Sequence, residues 1–325
     1  MRMRIIGLAL SLCLLLTACG GTEQDSGDQA PLLGRAAGLD EAAVLMTVDG
    51  REIPAWRYLC WLAYTCDQIA EQYAAAGTPL RWSDSVTGGT LADYVRDQAL
   101  ADTVLYAVVE AWAEQYGCQS GETEEEETVF PDLREDQRQE MAAVGTMYAR
   151  LWQLYQTPDS VLAPTETALT AFAAERGIFR IDRFLAGGED REAARQRAAE
   201  AFAKINGAEE QAAVFTQLAA GADDPAGPRT VSKGDGALDP ALEEAALALE
   251  VGQCSGILSS GEGFSILRRL PPETEALREA HFDHLLECAA AEAAVEVTED
   301  YAQLEVETFY TALLQMRAAE GDPSR

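Results

Sequence analysis

A mostly helical chain carrying one α+β segment is the fold class the sequence predicts, and three observations predict it. Apolar residues recur at three- and four-residue steps after Ile53-Pro54 and again beyond Pro272, the spacing of a buried helix face. At Gly177 the texture changes to Ile178–Ala186 (IFRIDRFLA), whose alternation is that of a strand. Lys233–Leu270 is then clearly punctuated. Asp239 suits an N-cap and Pro240 the first helical position, where a missing N–H costs nothing. Leu242, Ala245, Ala246 and Leu249 make one apolar face, and Gly252 reads as the helix stop. A strand from Gly256 to Ser259, a Ser-Gly-Glu-Gly turn and a strand from Phe264 to Leu270 follow.

At the amino terminus, Arg2 and Arg4 precede an apolar run, Ile5 to Leu16, of signal-peptide length and too short to span a bilayer comfortably. It ends in Leu16-Thr17-Ala18-Cys19-Gly20, which resembles a bacterial lipobox. That resemblance implies a lipoprotein signal peptide over residues 1–18 and a lipid on Cys19. The chain would then be membrane-anchored at the extracytoplasmic face. Residues 19–40, rich in Gly, Asp and other polar types, read as a flexible tether. No other stretch is long and apolar enough to cross a bilayer.

Val44 to Arg51 reads as a short strand and an Asp-Gly turn, after which Ile53-Pro54 opens a helix. Leu59, Ala63, Cys66, Ala70 and Tyr73 lie along that helix until Gly77-Thr78-Pro79 ends it. Further helices are expected over Leu91–Tyr116, Leu133–Tyr155 and Thr165–Arg176, with the acidic run Glu122–Glu127 as a solvated loop between the first two. The aromatic residues of this part suit a helical core first and an apolar cradle for unfolded polypeptides second. After the strand at Ile178 come helices Arg191–Ile205 and Ala208–Ala220, then a Gly-, Pro- and Asp-rich loop, Gly221–Thr230. Helices return over Glu273–Ala294 and, beyond the extended link Val295–Val297, to Ala319.

With 325 residues, 48% of them hydrophobic, the chain can hold two compact units with real cores. Twenty-four Lys+Arg against 55 Asp+Glu give a net charge of −31, a surface that repels phosphate backbones and excludes nucleic acid as a natural partner. Such a surface keeps a protein soluble and, secondarily, attracts basic clients. Outside the leader, Cys60, Cys66, Cys118, Cys254 and Cys288 are odd in number and follow no disulfide or zinc spacing. They read as small buried apolar residues, with any disulfide left open. The only histidines, His281 and His284, share a helix face with Asp283 and Glu287 nearby. We read them as surface polar residues rather than a metal site, and no cofactor motif is present.

The order strand, two helices, loop, helix, strand, strand over residues 177–271 resembles a parvulin-type peptidyl-prolyl isomerase domain. The opening Val48-Asp49-Gly50…Ile53-Pro54 before a long helix is similar to the start of SurA- and PrsA-type extracytoplasmic foldases. The resemblance implies residues 41–176 as an N-terminal helical chaperone part, the isomerase-like unit inserted after it, and residues 272–320 as C-terminal helices packing back on the first part. It implies unfolded or partly folded exported polypeptides as partners.

Prolyl isomerisation lowers a barrier of roughly 18–20 kcal/mol by gripping the proline ring and favouring the twisted amide; it needs no metal or cofactor. The family does this with an apolar pocket beside two histidines and a Cys or Asp. Here the first histidine position, in Arg183-Phe184-Leu185-Ala186, holds Arg183, and the second, in Gly263-Phe264-Ser265-Ile266-Leu267, holds Ser265. The pocket positions fall on Leu238 and Leu242, with Phe264 a further apolar candidate, and the loop carboxylate on Asp223 or Asp224. Strand alternation puts Arg183 with Ile181 and Leu185, where its guanidinium wants a carboxylate such as Asp223 or Asp224. Three readings stay open: a foldase or holdase whose isomerase-like unit has weak or lost catalysis, an active isomerase, and a surface lipoprotein with a dedicated partner. The lost histidines favour the first.

Overall fold

The computed structural model describes residues 31–119, 130–225 and 227–320. The expected signal peptide, the lipidation candidate Cys19 and the acidic run Glu122–Glu127 lie outside the described residues. The chain opens with α1 (Leu32–Ala37), β1 (Val44–Val48) and β2 (Arg51–Pro54), followed by α2 (Ala55–Ala75). The β1–β2 turn is made by Asp49 (φ 49°) and Gly50 (φ 79°), the left-handed pair that a two-residue hairpin of this twist requires. A small hairpin, β3 (Ser85–Val86) and β4 (Gly89–Thr90), leads into α3 (Leu91–Tyr116). A reciprocal cap starts α3: Thr90 Oγ1 accepts the Asp93 N–H at 3.1 Å and Asp93 Oδ2 accepts the Thr90 N–H at 2.9 Å. Then come α4 (Glu135–Gln156) and α5 (Glu166–Glu175).

The expected tether is cut short by α1. Its Leu33 and Ala36 are buried in the helical core, and Gly34 lies so close to the following turn that a Cβ would meet Leu39 O at 2.7 Å. Buried Glu41 fixes this entry: it accepts the Gly34 N–H at 2.9 Å, Gln137 Nε2 at 2.9 Å and Arg134 Nη1 at 3.2 Å. The polar composition of residues 19–40 hid these apolar anchors. Burying a leucine of this kind stabilises by roughly 2 kcal/mol.

The α+β unit follows as β5 (Ile178–Ala186), α6 (Arg191–Asn206), α7 (Gln211–Ala220), β6 (Arg229–Ser232), α8 (Pro240–Ala248), β7 (Leu258–Ser260) and β8 (Gly263–Leu270). The sheet is antiparallel with order β6-β5-β8-β7. Because side chains alternate across a strand, β5 and β8 feed two separate cores. Phe184, Ala186 and Ile266 pack under α6 and α7, while Phe179, Ile181 and Leu267 pack under α8. Strand β6 was missed in the sequence because Gly, Pro and Asp dominate the loop in front of it, yet it pairs Ile178 with Ser232 and Ile181 with Arg229. Helix α8 stops three residues earlier than expected: Leu249 is already extended, and Gly252 (φ 91°) instead turns the chain so that its N–H reaches Arg269 O at 2.8 Å.

After a short 3-10 turn the chain ends in α9 (Arg278–Glu292), β9 (Val295–Val297), α10 (Glu299–Gln303) and α11 (Val306–Glu320). β9 pairs with the edge of β1 opposite β2, and Asp49 and Ala294 exchange hydrogen bonds of 2.8 Å. Phe282 and Leu286 of α9 and Phe309 and Leu313 of α11 share one core with α1 to α4, so both chain ends build one helical body. Arg317 clamps this junction, donating to both oxygens of Asp67 at 2.9 Å and to Asp132. No helix of the described residues is long and apolar enough to cross a membrane.

The cysteine expectation holds in part. Cys60 and Cys66 are buried in α2, but Cys118 and Cys254 are half-buried and Cys288 is exposed, and all five are free. His281 is no surface residue: it is buried, its Nδ1 lies 2.8 Å from the Tyr155 hydroxyl, and the Phe172 ring meets it edge-on. Tyr155 of α4 and Phe172 of α5 close over it from neighbouring helices, which periodicity alone did not disclose.

Candidate functional site

The register of β5 and β8 brings the two candidate positions together. Arg183 lies opposite Leu267 and Leu185 opposite Ser265, so Arg183 and Ser265 are diagonal neighbours on the face that carries Ile181 and Leu267. Arg183 Nε donates to Ser265 Oγ at 3.0 Å. Ser265 is fully buried and Arg183 is 8% exposed. The guanidinium continues outward, and its Nη2 meets Glu262 Oε2 at 2.5 Å, with the Glu262 side chain largely in solvent. The result is a hydroxyl, a cation and a carboxylate in line from core to surface.

Glu262 is held there by the β7–β8 turn. Gly263 takes φ 140°, and a Cβ on it would fall 2.3 Å from Ala186 O. Only glycine lets the turn lie this close to the end of β5. Glu262 N–H donates to Ser260 Oγ at 3.3 Å, which ties the turn to β7. Sequence reasoning missed Glu262, having read Ser260–Gly263 as turn residues alone; its place three residues before Ser265, at the mouth of the hairpin, was the available signal.

The remaining candidates are distributed elsewhere. Leu238 and Leu242 lie beneath the same sheet face, but at 6% and 1% exposure they fill the core with Phe179, Ile181 and Leu267 rather than line an open pocket. Phe264 points to the other face. It packs half-buried against the α6–α7 cluster, and the Arg191 guanidinium sits 5.3 Å over its ring. The structure thus separates Phe264 from the two leucines with which the sequence grouped it.

Asp223 is not the partner of Arg183. Its Oδ2 accepts the Gly187 N–H at 2.7 Å and Arg197 Nη2 at 2.8 Å, stitching its loop to the end of β5. Asp224 follows, half-buried, in the same loop. A second carboxylate that the sequence did not flag, Asp182, is buried on the α6–α7 face opposite Arg268 and accepts the Arg183 N–H at 2.9 Å. Burial pushes its carboxyl up, against the lowering effect of that hydrogen bond and of Arg268 and Arg180.

Chemically, the Arg183 face offers fixed donors and no proton shuttle. A guanidinium stays charged at any physiological pH and a serine hydroxyl has no adjacent base here, so neither replaces a histidine that exchanges protons. The α9 histidines are distant in role as well as sequence. His284 Nδ1 accepts from Arg176 Nη2 at 2.7 Å, and Asp283 accepts from the Tyr148 hydroxyl at 2.5 Å. Among the described residues no three His, Cys, Asp or Glu side chains are set to hold a metal ion.

No protein-family model matches the chain, and no curated protein does. Solved structures give likenesses of low identity. Foldase protein PrsA from Streptococcus pneumoniae is 15% identical, with 81% of this chain and 77% of that chain covered, at a TM-score of 0.24. PrsA from Bacillus subtilis is 12% identical, with coverages of 88% and 95% and a TM-score of 0.26. A SurA-like chaperone from Campylobacter jejuni is 12% identical, with coverages of 77% and 93% and a TM-score of 0.24. At such values the likeness assigns no activity, and the fold stands on its own element order and strand pairing. Along most of its length the chain is similar to solved PrsA foldases and SurA-like chaperones.

Proposed function

We propose that this protein is an extracytoplasmic, lipid-anchored foldase or chaperone that holds exported polypeptides, with a parvulin-like unit whose isomerase catalysis is weak or lost. The leader with Arg2, Arg4 and the Leu16–Cys19 motif supports the location and the anchor. The helical body built from both chain ends, and the likeness to PrsA and SurA-like chaperones, are in keeping with the role. One observation carries the catalytic part: Arg183 and Ser265 stand where the family keeps histidines, and they satisfy one another through a buried hydrogen bond. Leu238 and Leu242 are occupied by core packing beside them. Residues 41–176 and 272–320 would form the client-holding part, and 177–271 a scaffold.

Aggregation of a chemically unfolded polypeptide, followed by light scattering with the chain from Gly21 onward, tests this role. Suppression near equimolar ratio is the expected result; no suppression at several-fold molar excess sinks it.

A further inference from the structure

On the outer surface of the helical body, four aromatic rings gather without sinking into it. Trp61 of α2 meets Tyr106 of α3 at 4.8 Å, Phe130 at 5.2 Å and Tyr64 at 5.8 Å between ring centroids, all edge to face. Tyr64 and Phe130 close the ring of contacts at 5.8 Å. Trp61, Tyr106 and Phe130 rest on the core, yet all four side chains remain partly exposed. Half-exposed Trp and Tyr rings are common, but four of them in mutual contact put apolar area and ring faces together on one surface that a partner can use.

A carboxylate lies beside them. Asp102, one helical turn before Tyr106 on α3, is partly buried, and its two oxygens accept only the neutral Gln98 amide, at 3.2 and 3.3 Å. No Lys or Arg of the described residues forms an ion pair with it. Loss of water pushes its carboxyl up, the response of a buried anion lacking a cation. Asp102 and Glu71 both act on the Tyr64 hydroxyl, raising it after burial does, which places two acidic groups beside the aromatic face. Ring faces attract cations, and a half-desolvated carboxylate attracts them more strongly than a solvated one. The net charge of −31 draws basic segments toward the whole surface.

We infer that Trp61, Tyr64, Tyr106 and Phe130 with Asp102 form a docking face for an arginine or lysine side chain within an extended apolar polypeptide segment. The face thereby selects basic clients, an inference that rests on the client-holding role proposed above. The aromatic edges take the apolar flanks, and Asp102 exchanges the Gln98 amide for the incoming cation.

Fluorescence anisotropy on the chain from Gly21 onward tests this with two probes. One is a short fluorescein-labelled apolar peptide carrying arginines; the other is its twin with each arginine replaced by citrulline, which keeps shape and removes charge. The wild-type protein binds the arginine peptide about five- to tenfold more tightly, and Asp102→Asn or Tyr64→Ala removes most of that difference. Glu200→Gln, an exposed carboxylate on α6, leaves the difference in place, so a general loss of charge is excluded. Far-ultraviolet circular dichroism checks that each variant is folded. Equal affinity for the twins, or a preference that survives Asp102→Asn, overturns the inference. Either result leaves the chaperone reading standing if aggregation is still suppressed; an Asp102-dependent preference without suppression keeps this face and removes the chaperone role.

Discussion

Arg183 and Ser265 are best understood by asking what each would lose alone. Removing the serine hydroxyl leaves Arg183 Nε, buried, without its acceptor, whereas Arg183→Met keeps an apolar stem under the sheet and frees an exposed Glu262. Ser265→Ala should therefore cost about 1–2 kcal/mol of stability and Arg183→Met no more than that, while the double variant costs less than the sum. Urea unfolding of all four proteins in a double-mutant cycle measures this coupling; strictly additive effects contradict it. Gly263→Ala should cost more, roughly 3 kcal/mol or loss of folding, since its Cβ would sit 2.3 Å from Ala186 O at φ 140°. Alternation along β5 made the face of Arg183 legible, with Ile181 and Leu185, but not its partner: the sequence pointed to Asp223 or Asp224, and only the β5–β8 register brings Ser265 to it. Glu262 was not legible either, because a turn residue's direction depends on a glycine conformation that the letters do not specify. Phe264 was misplaced by treating neighbours in sequence as neighbours on one face, when a strand sends them to opposite sides.

At the scale of elements, the helices expected over Leu91–Tyr116, Thr165–Arg176 and Arg191–Ile205 match to within a residue, whereas α7 starts at Gln211 rather than Ala208, α9 at Arg278 rather than Glu273, and the last expected helix is split into α10 and α11. Leu91–Tyr116 begins at the Thr90–Asp93 reciprocal cap and stops at Gly117 (φ 68°), both written in the sequence. Segments fixed by partners far along the chain were not legible: β6 needs the free edge of β5, and α1 needs α11. The α4–α5–α9 seam is of this second kind and makes the fold pH-sensitive. Burial pushes the His281 imidazole down, helped by neighbouring His284, while Tyr155, Phe172 and the Arg176–His284–Glu287 cluster surround it. A histidine kept neutral in the fold takes up its proton more readily when unfolded, so its contribution is present above the unfolded value near pH 6.5 and is lost as pH falls below it. Asp102, Asp182 and Asp283, whose carboxyls are raised chiefly by burial, act in the opposite sense at lower pH. The difference between wild type and His281→Gln isolates the histidine: between pH 7.5 and 5 the variant should lose distinctly less of its urea midpoint, and parallel curves contradict this. At the alkaline end, burial holds the Tyr155 phenol up to about 12, so its share of stability is lost as pH rises from the ordinary tyrosine value toward that figure.

Across the whole molecule, the α+β unit enters and leaves the helical body at one place. Arg180 lies opposite Leu270 on paired strands, so the entering and leaving chains are neighbours there, and the core of the helical body already includes α9 and α11. Replacing Ile178–Leu270 by a short Gly-Ser linker should leave a helical body that still unfolds cooperatively, as a circular dichroism melt would record. Deleting α11 should instead unfold the body, because Phe309, Leu313 and the Arg317 clamp leave with it. That both ends of the chain share one core follows from contacts more than two hundred residues apart in sequence, such as Thr298 Oγ1 to Leu45 O at 2.9 Å, and helical periodicity on either side of the insertion shows only that helices exist. The central claim concerns what the inserted unit does: a site closed by Arg183, Ser265 and two core leucines binds or braces rather than turns a prolyl bond. The most direct measurement is a protease-free prolyl isomerisation assay on the chain from Gly21 onward. The account predicts a catalytic efficiency more than about tenfold below that of a histidine-containing parvulin, a deficit of at least ~1.4 kcal/mol in transition-state stabilisation. An efficiency within that tenfold range would contradict it.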